Sequence, residues 1–159
     1  DTGTAVIDIV PVLNGVSGYA PRSHISAPPS ARIHIPATAI TPRRPPLHLI
    51  RNRDRASHYI ELAARHNTRL TFYVQAPSDG DYFLHIGYSN GSGETAMRTL
   101  EVNDSYAGTL VCPPIRQGDW LTTRPSSTLV ISLRNGVNKL SLFYVNSTIL
   151  LHDIYLLRK

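Results

Sequence analysis

Five residues have the chemistry to hold a ring-shaped ligand rich in hydroxyls: Trp120, Tyr88, Asn90, Asn103 and Asn146. A pyranose presents an apolar C–H face and a rim of hydroxyls, so proteins hold it with an aromatic platform beside amide donors and acceptors. Trp120 is the single tryptophan, and the Gly118-Asp119 turn before it places it at a loop tip. Its indole has two readings, a stacking platform or a ring packed into the loop and core. Tyr88 shares its strand face with Leu84 and Ile86, which favours a core ring over a platform. Asn90 follows at the mouth of the loop Ser89-Asn90-Gly91-Ser92-Gly93, as a ligand amide or as a turn residue. Asn103 and Tyr106 flank a second loop, and Asn146 precedes the last strand.

Other chemistries find less support. The seven histidines (His24, His34, His48, His58, His66, His85 and His152) form no His-x-x-x-His pair. His34, His48, His85 and His152 fall in strand-like runs, where a polar outer face is the expected role. The eleven acidic residues are scattered and no serine-elbow motif occurs, so no catalysis is expected within this chain. A net charge of +5 invites a nucleic-acid reading. The densest basic group, Arg43, Arg44, Arg51, Arg53 and Arg55, is broken by Pro45-Pro46 and Asp54, and lysine occurs only at Lys139 and Lys159. A solvated arginine-rich loop fits this pattern better than a phosphate-binding surface, and no nucleic-acid partner is expected. Cys112 stands alone in the apolar run Thr109-Leu110-Val111-Cys112 and reads as a buried thiol. Asn90, Asn103 and Asn146 each begin an N-glycosylation pattern, and glycans there would crowd the loops assigned to binding.

The elements that must position these residues are strands. With 42% hydrophobic and 17% charged residues, the 159-residue chain has the composition of a folded domain. No run reaches the roughly 18 apolar residues of a membrane helix, so no membrane partner is expected. Helical periodicity is nearly absent; the one candidate, Tyr59 to Arg65, reads equally as a strand. Short β-type runs are expected near 5–10, 31–35, 58–63, 69–75, 82–89, 97–102, 108–112, 128–133, 139–145 and 149–157. Asn135-Gly136 predicts a hairpin joining the run 128–133 to the run 139–145. Regular short strands with turns between them indicate an all-β sandwich or barrel. Eight of the twelve prolines precede residue 47. Residues 1–30 therefore read as a linker, an arm or the tail of a preceding domain, and 31–159 as the sandwich. The opening on Asp1 suggests a mature or excised fragment.

From about Ala31 onward the chain resembles the carbohydrate-binding modules of families 6 and 35. The resemblance is carried by Arg69 to Val74 followed by Ala76-Pro77 and Gly80-Asp81-Tyr82, by Gly87-Tyr88-Ser89-Asn90-Gly91, and by Leu100-Glu101-Val102-Asn103-Asp104. Further on it rests on Gln117-Gly118-Asp119-Trp120, Leu133 to Leu140, and the closing Ile149 to Leu157 with Asp153-Ile154. The order and spacing of these pieces imply an all-β sandwich of jelly-roll topology with two antiparallel sheets.

That resemblance implies binding without catalysis: an oligo- or polysaccharide as ligand, held at rim loops by Trp120 or a rim tyrosine with Asn90 and Asn146. It also implies a catalytic domain of the same parent protein as partner, and a secreted, periplasmic or cell-surface location. The departures matter too. These families open with acidic residues that help bind a structural calcium, whereas here the matching stretch is Ile33-His34-Ile35-Pro36-Ala37. Asp153 keeps the C-terminal acidic position alone, and one carboxylate is a poor calcium site, so no cofactor or tightly bound metal is expected. Asp8 or Glu61 would rescue the site only in a different topology. A second tryptophan common in relatives is Thr123 here. Two rivals remain: a structural sandwich with a decayed sugar site that packs on a catalytic domain, and a protein-interaction module.

Overall fold

A computed structural model describes residues 4–7, 12–13, 16–17, 32–40, 47–52, 57–65 and 69–159, the first three segments and Asn52 by backbone alone. Alternation of apolar and polar residues sets the strands: β1 (Thr4–Ile7), β2 (Val12–Leu13), β3 (Val16–Ser17), β4 (Arg32–Pro36), β5 (Leu49–Asn52), β6 (Ser57–Leu62) and β7 (Arg69–Ala76). They continue with β8 (Gly80–Ser89), β9 (Ala96–Val102), β10 (Ser105–Cys112), β11 (Arg124–Pro125), β12 (Leu129–Leu133), β13 (Gly136–Asn146) and β14 (Ile149–Arg158). A 3-10 turn, Ala37–Ala39, follows β4.

The strands form a β-sandwich. The first sheet runs β1-β7-β13-β9-β10. The second runs β11-β8-β14-β4-β2-β3, with β12 also on β8, β6 on β14 and β5 on β6. From β6 to β14 the chain passes repeatedly from one sheet to the other, the winding of a jelly roll. Pairing is antiparallel except for β1, which lies parallel to β7 with Thr4 opposite Thr71. Between the sheets lie the inward residues of each strand: Leu70, Phe72 and Val74 of β7, Tyr82, Leu84 and Ile86 of β8, Leu140 and Leu142 of β13, Ile154 and Leu156 of β14, all buried.

The expected hairpin at Asn135-Gly136 does not form. β12 pairs with β8 in the second sheet, while β13 pairs with β7 and β9 in the first. The dipeptide turns a corner between sheets instead, with Gly136 at φ +101°. Asn138, fully buried, holds the corner: its amide oxygen accepts from Arg134 N, and its amide nitrogen donates to the carbonyls of Arg134 and Gly136. These local side-chain bonds replace the ladder that a hairpin would have made. A two-residue hairpin instead joins β9 to β10 at Asn103-Asp104, whose φ values of 50° and 67° match a primed turn. β5, β2, β3 and β11 were not expected, being too short to show alternation.

Candidate functional site

The loop that carries Trp120 is zipped onto the loop after β8. Ile115 N donates to Asn90 O at 3.1 Å and Gly118 N to Gly91 O at 2.8 Å. Asp119 closes its own turn: one carboxylate oxygen accepts from Leu121 N and Thr122 N, and the other from the Thr122 hydroxyl at 2.6 Å. The Thr122 hydroxyl, followed by the two backbone donors, brings the Asp119 carboxyl down to about 2. Trp120 is half-buried, with its indole against Gly91. A Cβ on Gly91 would meet Trp120 Cε2 at 2.8 Å and Asp119 O at 2.8 Å, so the close approach requires glycine. Arg116 and Gln117 on the same loop, and Glu94 on the loop after β8, are exposed.

The other rim candidates are placed differently from the expectation. Asn90 is fully buried, and every hydrogen-bonding position of its amide is filled. Its nitrogen donates to Glu94 O and Cys112 O, both at 2.9 Å, and its oxygen accepts from the Ser92 amide and hydroxyl. Tyr88 is also buried, with its hydroxyl donating to Pro113 O at 2.7 Å; burial pushes that phenol up to about 12. Asn103 is spent on the corner, accepting from Lys139 N and donating to Asn138 Oδ1. Asn146 is half-buried, accepting from Met97 N and donating to Thr95 O. Asn90, Tyr88 and Asn146 thus brace the end of the sandwich that carries Trp120, whereas Asn103 sits at the opposite end of β9, and each of these side chains is engaged within the protein. The neighbour Tyr106 is 70% exposed, beside a cleft of about 320 Å³ between β10 and β12.

A residue not singled out from the sequence anchors the same end of the sandwich. Arg98 is 1% exposed, and its guanidinium donates to four main-chain carbonyls, those of Met97, Asn146, Leu62 and Ser147, at 2.6–2.9 Å. Its carbon lies 5.2 Å from the centre of the Tyr144 ring. The signal was present: period two puts Arg98 on the same face as Ala96, Leu100 and Val102, which are all buried.

Asp153 lies on the second sheet with its carboxylate accepting from His34 Nε2 at 2.7 Å. Among the described residues no three His, Cys, Asp or Glu side chains gather to hold a metal ion. Glu61 pairs with Arg65 instead; Asp8, His24, His66 and the arginines 43, 44, 53 and 55 lie outside the described residues. Ser89 and His152 are 3.0 Å apart, a pairing used by hydrolases, but Ser89 is fully buried and no substrate carbonyl can reach it. Cys112 is buried as expected, with its thiol pushed up to about 12 by burial.

The outer face of the second sheet carries an unexpected arrangement. Tyr155 on β14 stands opposite His34 on β4 and His85 on β8. Both imidazoles stack on the phenol with centroids 4.9 Å away, at interplanar angles of 8° and 21°. Two of the four histidines read as outward-facing, His34 and His85, thus form a row with both faces of Tyr155 covered, whereas His152 is buried against Ser89. Beside the row a groove of about 380 Å³ is bordered by Arg32, His34, His85, Tyr155 and Leu157. Burial lowers the proton affinity of His85, so its ring is a neutral donor and acceptor at neutral pH.

No protein-family model and no curated protein sequence matches the chain. Solved structures do. The isomalto-dextranase of Arthrobacter globiformis T6, complexed with panose, superposes with a TM-score of 0.62 and 19% identity over 79% of this chain. That match spans 23% of the isomalto-dextranase. A family 35 carbohydrate-binding module from Clostridium thermocellum matches at TM-score 0.56 and 22% identity, over 69% of this chain and 85% of the module. The C-terminal family 6 module of a marine laminarinase from Zobellia galactanivorans matches at TM-score 0.63 and 11% identity, over 79% of this chain and 98% of the module. The chain therefore has the β-sandwich fold of the family 6 and family 35 carbohydrate-binding modules.

Proposed function

We propose that this chain is a non-catalytic carbohydrate-binding module of a larger glycan-degrading enzyme acting outside the cell. The carrying observation is the fold, shared with two carbohydrate-binding modules and with a segment of an isomalto-dextranase. The ligand contact we assign is the exposed part of Trp120, on a loop fixed by Asp119 and Gly91, with Arg116, Gln117 and Glu94 as polar partners. Asn90, Asn146 and Tyr88 brace that end of the sandwich, while Asn103 serves the corner at the other end. A half-exposed ring with few hydrogen-bonding neighbours supports weak binding, in the millimolar to micromolar range, roughly 4–8 kcal/mol.

Titration calorimetry against dextran, laminarin and xylan tests the reading, with Trp120 fluorescence as an independent probe because the chain has one tryptophan. The expected result is measurable binding to one of them, quenching or shift of the indole emission, and at least a tenfold loss in Trp120→Ala. Binding that survives Trp120→Ala with unchanged emission overturns the rim assignment. Absence of binding to any glycan favours the structural accessory role, which the internal engagement of four rim side chains also supports.

A further inference from the structure

We propose that the groove beside the His34–Tyr155–His85 row is a second ligand site, distinct from the Trp120 rim, for a sugar unit bearing an anionic group. The charges of the groove are one-sided. Arg32 borders it, exposed, and makes no hydrogen bond or ion pair among the described residues. No carboxylate among the described residues borders it. Of the acids on this face, Asp81 accepts from the Ser132 hydroxyl, and Asp153 is bound to His34 Nε2. Register sets Asp153 apart from Arg32: Arg32 lies opposite Leu157 and Pro36 opposite Asp153, four residues along β14 or about 13 Å. Among the described residues nothing engages the guanidinium, which can make a two-pronged contact with a carboxylate or sulfate ester.

The remaining border suits a sugar ring better than a bare anion. Leu157 supplies apolar surface, and His34 Nδ1 together with the His85 imidazole supplies hydrogen-bonding positions for hydroxyls, His34 Nε2 being taken by Asp153. Because both faces of Tyr155 are occupied, the phenol does not serve as a stacking platform; it holds the two imidazoles parallel. The three residues come from neighbouring strands of one sheet, so the row is rigid without a ligand, which lowers the ordering cost of binding. A volume of about 380 Å³ is in the range of small-ligand sites.

The test uses the full chain carrying Trp120→Ala, which removes the rim contact, titrated by NMR with a galacturonate trimer, a sulfated disaccharide and neutral isomaltotriose. Expected are shifts of the His34, His85 and Tyr155 ring signals with at least one anionic sugar and none with isomaltotriose. Which anionic sugar binds tells carboxylate from sulfate. Arg32→Gln, an exposed substitution that leaves the fold intact, should weaken that binding at least tenfold, and 0.5 M salt should weaken it in the parent. Equal shifts with the neutral sugar, unchanged affinity in Arg32→Gln, or no ring shifts with either anionic sugar overturns the proposal. Since the rim is disabled throughout, these outcomes are independent of whether Trp120 binds glycan.

Discussion

Gly91 lies under Trp120 so closely that a single added methyl would sit 2.8 Å from the indole Cε2. Gly91→Ala must therefore move the indole or the Asp119 backbone. The expected cost is about 1–3 kcal/mol, the usual penalty for overpacking, together with a changed tryptophan emission maximum and weaker glycan binding. Equilibrium denaturation followed by fluorescence reads all but the last. An unaltered emission spectrum with wild-type stability would show that the two loops separate easily.

Arg98→Met keeps the length and apolar contact of the side chain but leaves buried carbonyls at Leu62 and Ser147 without their donor. Each buried acceptor left unpaired costs about 1–3 kcal/mol. The variant should lose about 3 kcal/mol or more in urea denaturation, with Arg98→Lys intermediate because a point charge cannot reach four acceptors. A loss under 1 kcal/mol would mean that water replaces the guanidinium.

Asn90 begins a glycosylation pattern yet is buried with its whole amide engaged. Protein secreted in folded form from a glycosylating host should carry no glycan at Asn90 by peptide mass spectrometry. A glycan on that residue in protein with native thermal stability would contradict the placement.

Alkaline pH should destabilise the fold through Cys112 and Tyr88. Their ordinary values of 9.0 and 10.0 are both raised to about 12 in the native state, by burial above all. The native protein therefore keeps protons that the unfolded chain releases, and stability, constant below about pH 9, falls between pH 9 and 12. Thermal melts across that range should show a declining Tm, with a shallower slope in Cys112→Ala. Native Cys112 should also resist thiol reagents at pH 8 and react once the chain unfolds.

The period-two pattern made β7, β8, β9, β13 and β14 legible, since each long strand buries one face, and the resemblance drawn from the same segments led to the sandwich. Connections were harder. Asn135-Gly136 carries the stronger hairpin dipeptide, yet Asn103-Asp104 makes the hairpin, because Asn138, buried three residues after Asn135, fixes the corner. The site was legible by residue type but not by exposure. Amides at loop mouths suit a sugar and suit a turn equally, and only three-dimensional neighbours show that Asn90, Asn103 and Asn146 are used inwardly. The His34–Tyr155–His85 row was invisible for a different reason, being set by register among β4, β14 and β8, strands far apart in sequence.

β14 also dictates the order in which the molecule is completed. It lies inside the second sheet, hydrogen-bonded to β8 along one side and to β4 and β6 along the other. Until residues 149–158 have been synthesised, those three strands keep open edges and their apolar faces lack a common partner. Such edges invite pairing with other chains. The second sheet must therefore assemble late, through contacts between distant segments that slow folding. A nascent chain halted before Ile149 is the species on which a chaperone would act.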